Sequence, residues 1–319
     1  MWKHLWLLLC LVFAMAACSP SQTATLAEPP TEPSKPVADP KPVITLGAKS
    51  LTEQYLLMKM TSLLLKEQGY KVKEIVFLDS PAIRQAMESG VIDLYWEYTT
   101  TALHFYHKRP PIYDPDESFA AAAKADKPKG IIWIERSQFD SSWAVLMKRS
   151  VTEQLHISTI SDLAAYAREK QHKFKFATND EYLIRDDGIK RLQEVYQFSI
   201  SDDDLIAIDS SLLPQAVKES RVQVAVGMAT DPRIQEDGLV ILHDDKKLFA
   251  PYHASAVIQE KTLHANRDIE KLMKQLTKPI NNETMDKLIY QVDVLHQDVS
   301  QTARQFLIQQ KLIQSQPTE

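Results

Sequence analysis

The chain has 319 residues, 37 Lys and Arg against 42 Asp and Glu, a formal net charge of −5, and two cysteines. That acidic balance argues against nucleic acid as a partner, and two cysteines are too few for a disulfide framework. The length is enough for a two-domain globular protein.

Met1 to Ala17 carries one early lysine, Lys3, then an apolar run from Leu5 to Ala17 and a small pair, Ala16-Ala17, before Cys18. A helix needs about 20 apolar residues to span a bilayer, so a cleaved signal peptide over residues 1–17 is expected. Removing it removes Lys3 and leaves 36 basic residues against 42 acidic. Seven of the chain's 17 prolines then fall between Ser19 and Pro42. Residues 18–42 therefore read as a semi-extended tether, advancing about 3.1 Å per residue where it is polyproline-like.

From Val43 onward strand and helix patterns alternate, which predicts an α/β fold with a mainly parallel sheet. Val43 to Gly47 reads as a strand, and Ser50 or Thr52 with Glu53 as the capping box of a helix running to Gly69. Val72 to Phe77 is a second strand and Ala82 to Ser89 a second helix. Val91 to Tyr95 reads as a short buried strand opening onto a loop of rings and hydroxyls, Trp96 to Thr101. Such a loop, at the carboxyl end of a strand, is where open α/β sheets bind ligands. Tyr98 offers a π face to a cation that has no N–H to donate, and Thr101 can hydrogen-bond an anionic head. A small zwitterion fits that pair.

Further along, His107-Lys108-Arg109 precedes a stiff Pro110 to Pro115 loop, whose role is either a partner-facing rim or purely structural. A helix from Glu117 and a strand at Ile131 to Ile134 lead to Phe139-Asp140-Ser141-Ser142-Trp143. Thr159 to Leu163 is a strong helix start, Phe174 to Thr178 a strand, Asp204 to Ala207 another, and Leu212 to Glu219 a helix. His243-Asp244-Asp245 is a polar turn with too few alternating oxygen ligands for calcium. Glu260 to Gln310 is helical and should cover the first domain's sheet. The seven glycines mostly stand where an element ends or turns, and no internal repeat is apparent.

Asp93-Leu94-Tyr95, Glu97-Tyr98-Thr99 and Thr101-Ala102-Leu103 together resemble the signature of the osmoprotectant-binding proteins of ABC importers. That family captures glycine betaine, choline, carnitine and related quaternary ammonium compounds. The resemblance continues through Gly47-Ala48-Lys49, Pro110 to Pro115, Arg185-Asp186-Asp187-Gly188, Thr230-Asp231 with Arg233-Ile234, and Pro251-Tyr252-His253-Ala254. It covers nearly everything after residue 42. It implies a two-lobed periplasmic-binding-protein fold of type II, with two interdomain crossovers, near Trp143 and near Leu248. One lobe would be residues 43–145 plus 249–319, the other 146–248.

The resemblance also implies roles for particular residues. The ligand's cation would sit among Tyr98, Trp143 and Tyr252, with Met228 where a cage tyrosine usually stands. Trp143, replacing a usual tyrosine, keeps the cation–π chemistry and enlarges the wall; the alternative is a ring that only packs at the hinge. Met228 keeps polarizability but lacks a ring face. A ligand carboxylate would meet Lys49, Thr101 and Arg185, the arginine in the bidentate manner its planar donors allow. Lys49 could instead be a solvated lysine at a helix start, and Arg185 could pair with Asp186 or Asp187. Asp79, Pro81, Trp96 and Thr100 depart from the family pattern. Met15-Ala16-Ala17-Cys18 resembles a bacterial lipobox, implying acylation of Cys18 and a lipid-anchored, extracytoplasmic protein on a cell membrane.

The resemblance implies a monomeric solute-binding component that meets an ABC permease and needs no cofactor, metal or reaction. A different function remains open: a binding protein turned sensor for another small amine or zwitterion. A hydrolase would need a serine beside His253 and Asp231, and no Gly-x-Ser-x-Gly motif is present.

Overall fold

The computed structural model describes residues 41–169 and 174–314. The expected signal peptide, Cys18 and nearly all of the tether lie outside them. Ten strands are present among the described residues: β1 Val43–Lys49, β2 Lys71–Phe77, β3 Leu94–Tyr98, β4 Ile131–Asp140, β5 Trp143–Lys148, β6 Phe176–Thr178, β7 Leu205–Ala207, β8 Val224–Met228, β9 Leu239–Ile241 and β10 His253–Gln259. They form two five-stranded sheets, ordered β2-β1-β3-β10-β4 and β7-β6-β8-β5-β9. The chain crosses from the first to the second between β4 and β5 and returns between β9 and β10.

The two sheets share one plan. In the first, β1 is parallel to β2 and β3, and β10 runs antiparallel to β3 and β4. In the second, β6 is parallel to β7 and β8, and β5 runs antiparallel to β8 and β9. Four strands of each sheet therefore point one way, and the strand next to a crossover points against them. This places the carboxyl ends of β1, β3, β6 and β8 beside the amino ends of β5 and β10. Parallel sheets gather ligand-binding residues at that edge.

Trp143, Ala144 and Val145 pair with Met228, Gly227 and Val226. The second sheet thus begins about three residues earlier than the expected division after residue 145.

Two other expectations are displaced. Val91 and Ile92 are not strand residues; their amides bond to the Ala86 carbonyl and close the preceding helix. The strand starts at Leu94, after Asp93 has bonded to both the amide and the carbonyl of Thr45. Trp96 and Tyr98 then lie on β3 itself, and Trp96 is buried with its indole N–H donated to Thr61. The helix Thr52–Glu67 has Leu51 as its cap, with no side-chain capping bond. Glu53, expected in a capping box, is buried and bonded elsewhere, as described below.

Asp79, by contrast, is a working cap. Its side chain accepts from the Ala82 amide, and Pro81 sits in the first turn of the helix Ser80–Glu88, where no intrahelical N–H is needed. The departure at Asp79-Ser80-Pro81 is thus a helix start. The C-terminal helices Asp268–Thr277, Asn282–Asp293 and Val299–Gln309 pack against β4 or the helix Thr52–Glu67, covering the first sheet. Among the described residues no helix is long and apolar enough to cross a membrane.

Candidate ligand-binding cleft

The seven candidate residues converge. Lys49, Tyr98, Thr101, Trp143, Arg185, Met228 and Tyr252 all line one small cavity between the sheets, together with Leu51, Ser80, Ser141, Asn179 and Glu181. Local structure explains how. Lys49 and Tyr98 end β1 and β3, Met228 ends β8, Trp143 begins β5, and Tyr252 immediately precedes β10. Trp143 and Met228 stand directly opposite each other in the β5–β8 ladder, which puts their side chains on one face. Thr101 opens a wide helical turn, Thr101–Tyr106, after β3.

The rings form a partial cage. Tyr98 and Tyr252 have ring centroids 6.4 Å apart, tilted by 55°. Trp143 packs on Tyr182 at 4.6 Å. Its indole N–H has no hydrogen-bond partner among the described residues, so packing holds the ring. Met228 offers its sulfur to the Ser141 hydroxyl at 3.5 Å. Protein cations already lie near two of the tyrosines: Lys49 Nζ is 4.8 Å from the Tyr98 centroid, and the Arg185 guanidinium 5.6 Å from that of Tyr252.

The charged groups are tightly engaged. Lys49 Nζ donates to Glu97 Oε1 at 2.5 Å, with both side chains buried. Glu97 also accepts from the hydroxyls of Tyr95 and Tyr106 and from the Tyr98 amide. Lys49 is therefore not the solvated lysine considered from sequence, nor a free ammonium.

Arg185 is buried and places all five of its N–H groups. Nε and Nη2 fork onto Asp187 at 2.8 Å each. Nη2 also donates to the Tyr252 hydroxyl at 2.7 Å, and Nη1 to Glu181 Oε1 at 3.0 Å and Thr101 Oγ1 at 3.5 Å. Of the two alternative partners considered, Asp187 takes the guanidinium, while Asp186 bonds Lys108 at 2.5 Å. Burial pushes the Asp187 carboxyl up, but the charge and hydrogen bonds of Arg185 outweigh it and hold it below the ordinary range. For Arg185 the same ion pairs overcome desolvation and raise its pKa.

Glu181 is a cleft residue that sequence reasoning did not single out. Its Oε2 accepts from the Ser80 amide at 3.0 Å, bridging from the second sheet's side of the cleft to the first. Burial pushes its carboxyl up, but Lys49, Arg185 and the Ser80 amide together bring it below the ordinary range. Glu53 behaves oppositely. Its Oε1 accepts from Tyr98 at 3.1 Å and Ser141 at 3.0 Å, tying a cage ring to the crossover, and burial raises its pKa despite those bonds.

The loop bearing Arg185 is shaped by backbone contact. A Cβ at Gly188 would lie 1.9 Å from the Tyr182 carbonyl oxygen, so no larger residue fits without moving the chain. Asn179 caps the short helix that presents Glu181, its side chain accepting from the Tyr182 amide. Asp244 and Asp245, the polar turn, are taken by Tyr196, the Phe249 amide and Ser161. Among the described residues no group of His, Cys, Asp and Glu is arranged to hold a metal.

The family described as the substrate binding domain of ABC-type glycine betaine transport systems matches residues 42–309. A glycine-betaine-binding protein of Pseudomonas aeruginosa is 29% identical over 275 residues, 85% of this chain and 88% of the relative. The ergothioneine transport permease/ergothioneine binding protein EgtU of Helicobacter pylori is 29% identical over 84% of this chain, which spans 47% of that longer protein. A solved structure described as a glycine betaine/carnitine/choline ABC transporter superposes with a TM-score of 0.67 at 25% identity, covering 84% of this chain and 99% of that one.

Proposed function

The chain belongs to the family of substrate-binding domains of ABC-type glycine betaine transport systems, and on that premise we propose that it captures a small quaternary ammonium compound between its lobes and delivers it to a membrane permease. The observation that carries this reading is the convergence of Tyr98, Trp143, Tyr252 and Met228 on one cavity between the two sheets. Aromatic faces attract a cation that cannot donate hydrogen bonds, and more strongly when water is excluded. The ligand's methylated nitrogen would rest against these rings. The contacts that already bridge the lobes, Ser80 to Glu181 and Arg185 to Tyr252, would close over it. Capture and release need no chemical step.

The lobes would be the two sheets with their covering helices, joined at Ser141-Ser142 and again between β9 and β10. As a substrate-binding component of an importer the protein works outside the cytoplasm. Acylation at Cys18 would hold it on the membrane, and the proline-rich tether would let a single copy reach its permease. A Cys18→Ser chain should then move from the membrane fraction to the soluble fraction; retention on the membrane would refute the lipid anchor.

Calorimetric titration of the purified protein with glycine betaine, choline, carnitine and proline betaine tests the binding reading. Saturable one-to-one binding of at least one is expected. Folded protein that binds none of them would overturn it.

A further inference from the structure

Two features of the cleft are suited to receive an anion. One is the buried guanidinium of Arg185; the other is the backbone amide of Ser80, the first residue of the nine-residue helix Ser80–Glu88. A single protein carboxylate holds both. Glu181 places one oxygen on Arg185 Nη1 at 3.0 Å and the other on the Ser80 amide at 3.0 Å, while lining the cavity itself.

The remaining cation is also taken. Lys49 is paired with Glu97 at 2.5 Å, and the other Arg185 donors face Asp187, Tyr252 and Thr101. Counting these partners, three carboxylates (Glu97, Glu181 and Asp187) stand against two cations (Lys49 and Arg185), a formal excess of one negative charge. A ligand carboxylate arriving here would have to displace a buried ion pair and add a fourth anion. A ligand bearing only the positive charge would instead neutralise the excess. Unlike charges attract strongly where water is excluded, and buried partners left unpaired are costly.

We infer that Glu181 is a specificity-determining residue: its carboxylate occupies the position a zwitterion's carboxylate would take, so the cleft selects a quaternary ammonium compound that carries no carboxylate. This rests on the quaternary-ammonium reading above. Glu181→Gln removes the charge and leaves one acceptor oxygen, so it should free one of the two donors for an incoming anion, and Glu181→Ala should free both the Arg185 donor and the helix amide.

The test is calorimetric titration of the wild-type protein, Glu181→Gln and Glu181→Ala with choline and with glycine betaine, with circular dichroism to check that each variant is folded. The wild type is expected to bind choline at least tenfold more tightly than glycine betaine. In Glu181→Gln that ratio is expected to fall at least tenfold in favour of glycine betaine, and Glu181→Ala should move it the same way. A wild type that binds glycine betaine as tightly as choline overturns the inference while leaving the quaternary-ammonium reading intact. So does a ratio unchanged in both variants. If neither compound, nor carnitine or proline betaine, binds the folded wild type, the underlying reading fails and takes this one with it.

Discussion

Replacing Trp143 by alanine is expected to weaken ligand binding on the order of 30-fold, the equivalent of about 2 kcal/mol for a cation–π contact out of water. Replacing it by phenylalanine should cost less than about fivefold, because a ring face survives. The comparison is unusually clean here. The indole N–H of Trp143 has no acceptor among the described residues, so the phenylalanine variant loses no hydrogen bond to them. The ring is held by Tyr182 and by its position opposite Met228, neither of which needs the nitrogen. Fluorescence of Trp143 itself disappears with the substitution, so calorimetry is the measurement to use. Near-native affinity in Trp143→Ala, with the fold intact by circular dichroism, would place the ligand's cation elsewhere.

A second large effect is expected at a residue that does not line the cleft. Asp126 is fully buried and accepts from Arg84 through both terminal nitrogens, at 2.9 and 2.5 Å, from His107 Nε2 at 2.7 Å and from Trp133 Nε1 at 2.8 Å. Among the described residues, Asp126→Ala would leave the buried Arg84 with only Glu88 as its ionic partner and orphan the Trp133 donor. Breaking a buried pair by removing one member costs roughly 3–5 kcal/mol, which in a domain of this size lowers the melting temperature by about 10 °C. Calorimetric melting checks it; a loss below about 1 kcal/mol would mean that water replaces the carboxylate.

The pH dependence has a definite sign. Burial pushes the Asp126 carboxyl up, but Arg84, His107 and Trp133 bring it below its ordinary value. Its stabilising contribution is therefore complete above the ordinary carboxylate range, near pH 4, and is lost as pH falls toward the lower folded value. The alanine variant should show less acid destabilisation than the wild type over that interval.

Much of the architecture was readable from hydrophobic runs and turn residues, because a buried parallel strand needs a continuous apolar stretch and little else. The misplacement of β3 arose at Val91 and Ile92, which are apolar enough for a strand but whose amides are required by the preceding helix. The gathering of Lys49, Tyr98, Trp143, Met228 and Tyr252 was legible chiefly through the family resemblance, and its physical reason is that each stands at or beside a strand end facing the cleft. Which partners their charged neighbours take was less legible. Glu97 beneath Lys49 is a choice of side-chain geometry across the fold that no spacing along the chain encodes; Glu181 stands four residues before Arg185, a spacing that suits an ion pair and was the one available signal for it. Glu53 illustrates the limit from the other side. Its position three residues after Ser50 suits a capping box, yet the hydroxyls of Tyr98 and Ser141 hold it in the interior.

The placement of β10 bears on how the chain assembles. It lies between β3 and β4, although more than a hundred residues separate it from either in the sequence. As the polypeptide emerges from its N-terminus, β3 and β4 must wait with open edges until residue 259 is available. The second sheet is built entirely from residues 143 to 241 and can be completed first. The lobe that begins the chain is thus the last to finish folding. Unpaired edges of that kind invite pairing with other chains, so a nascent or truncated protein ending before β10 would expose two of them at once.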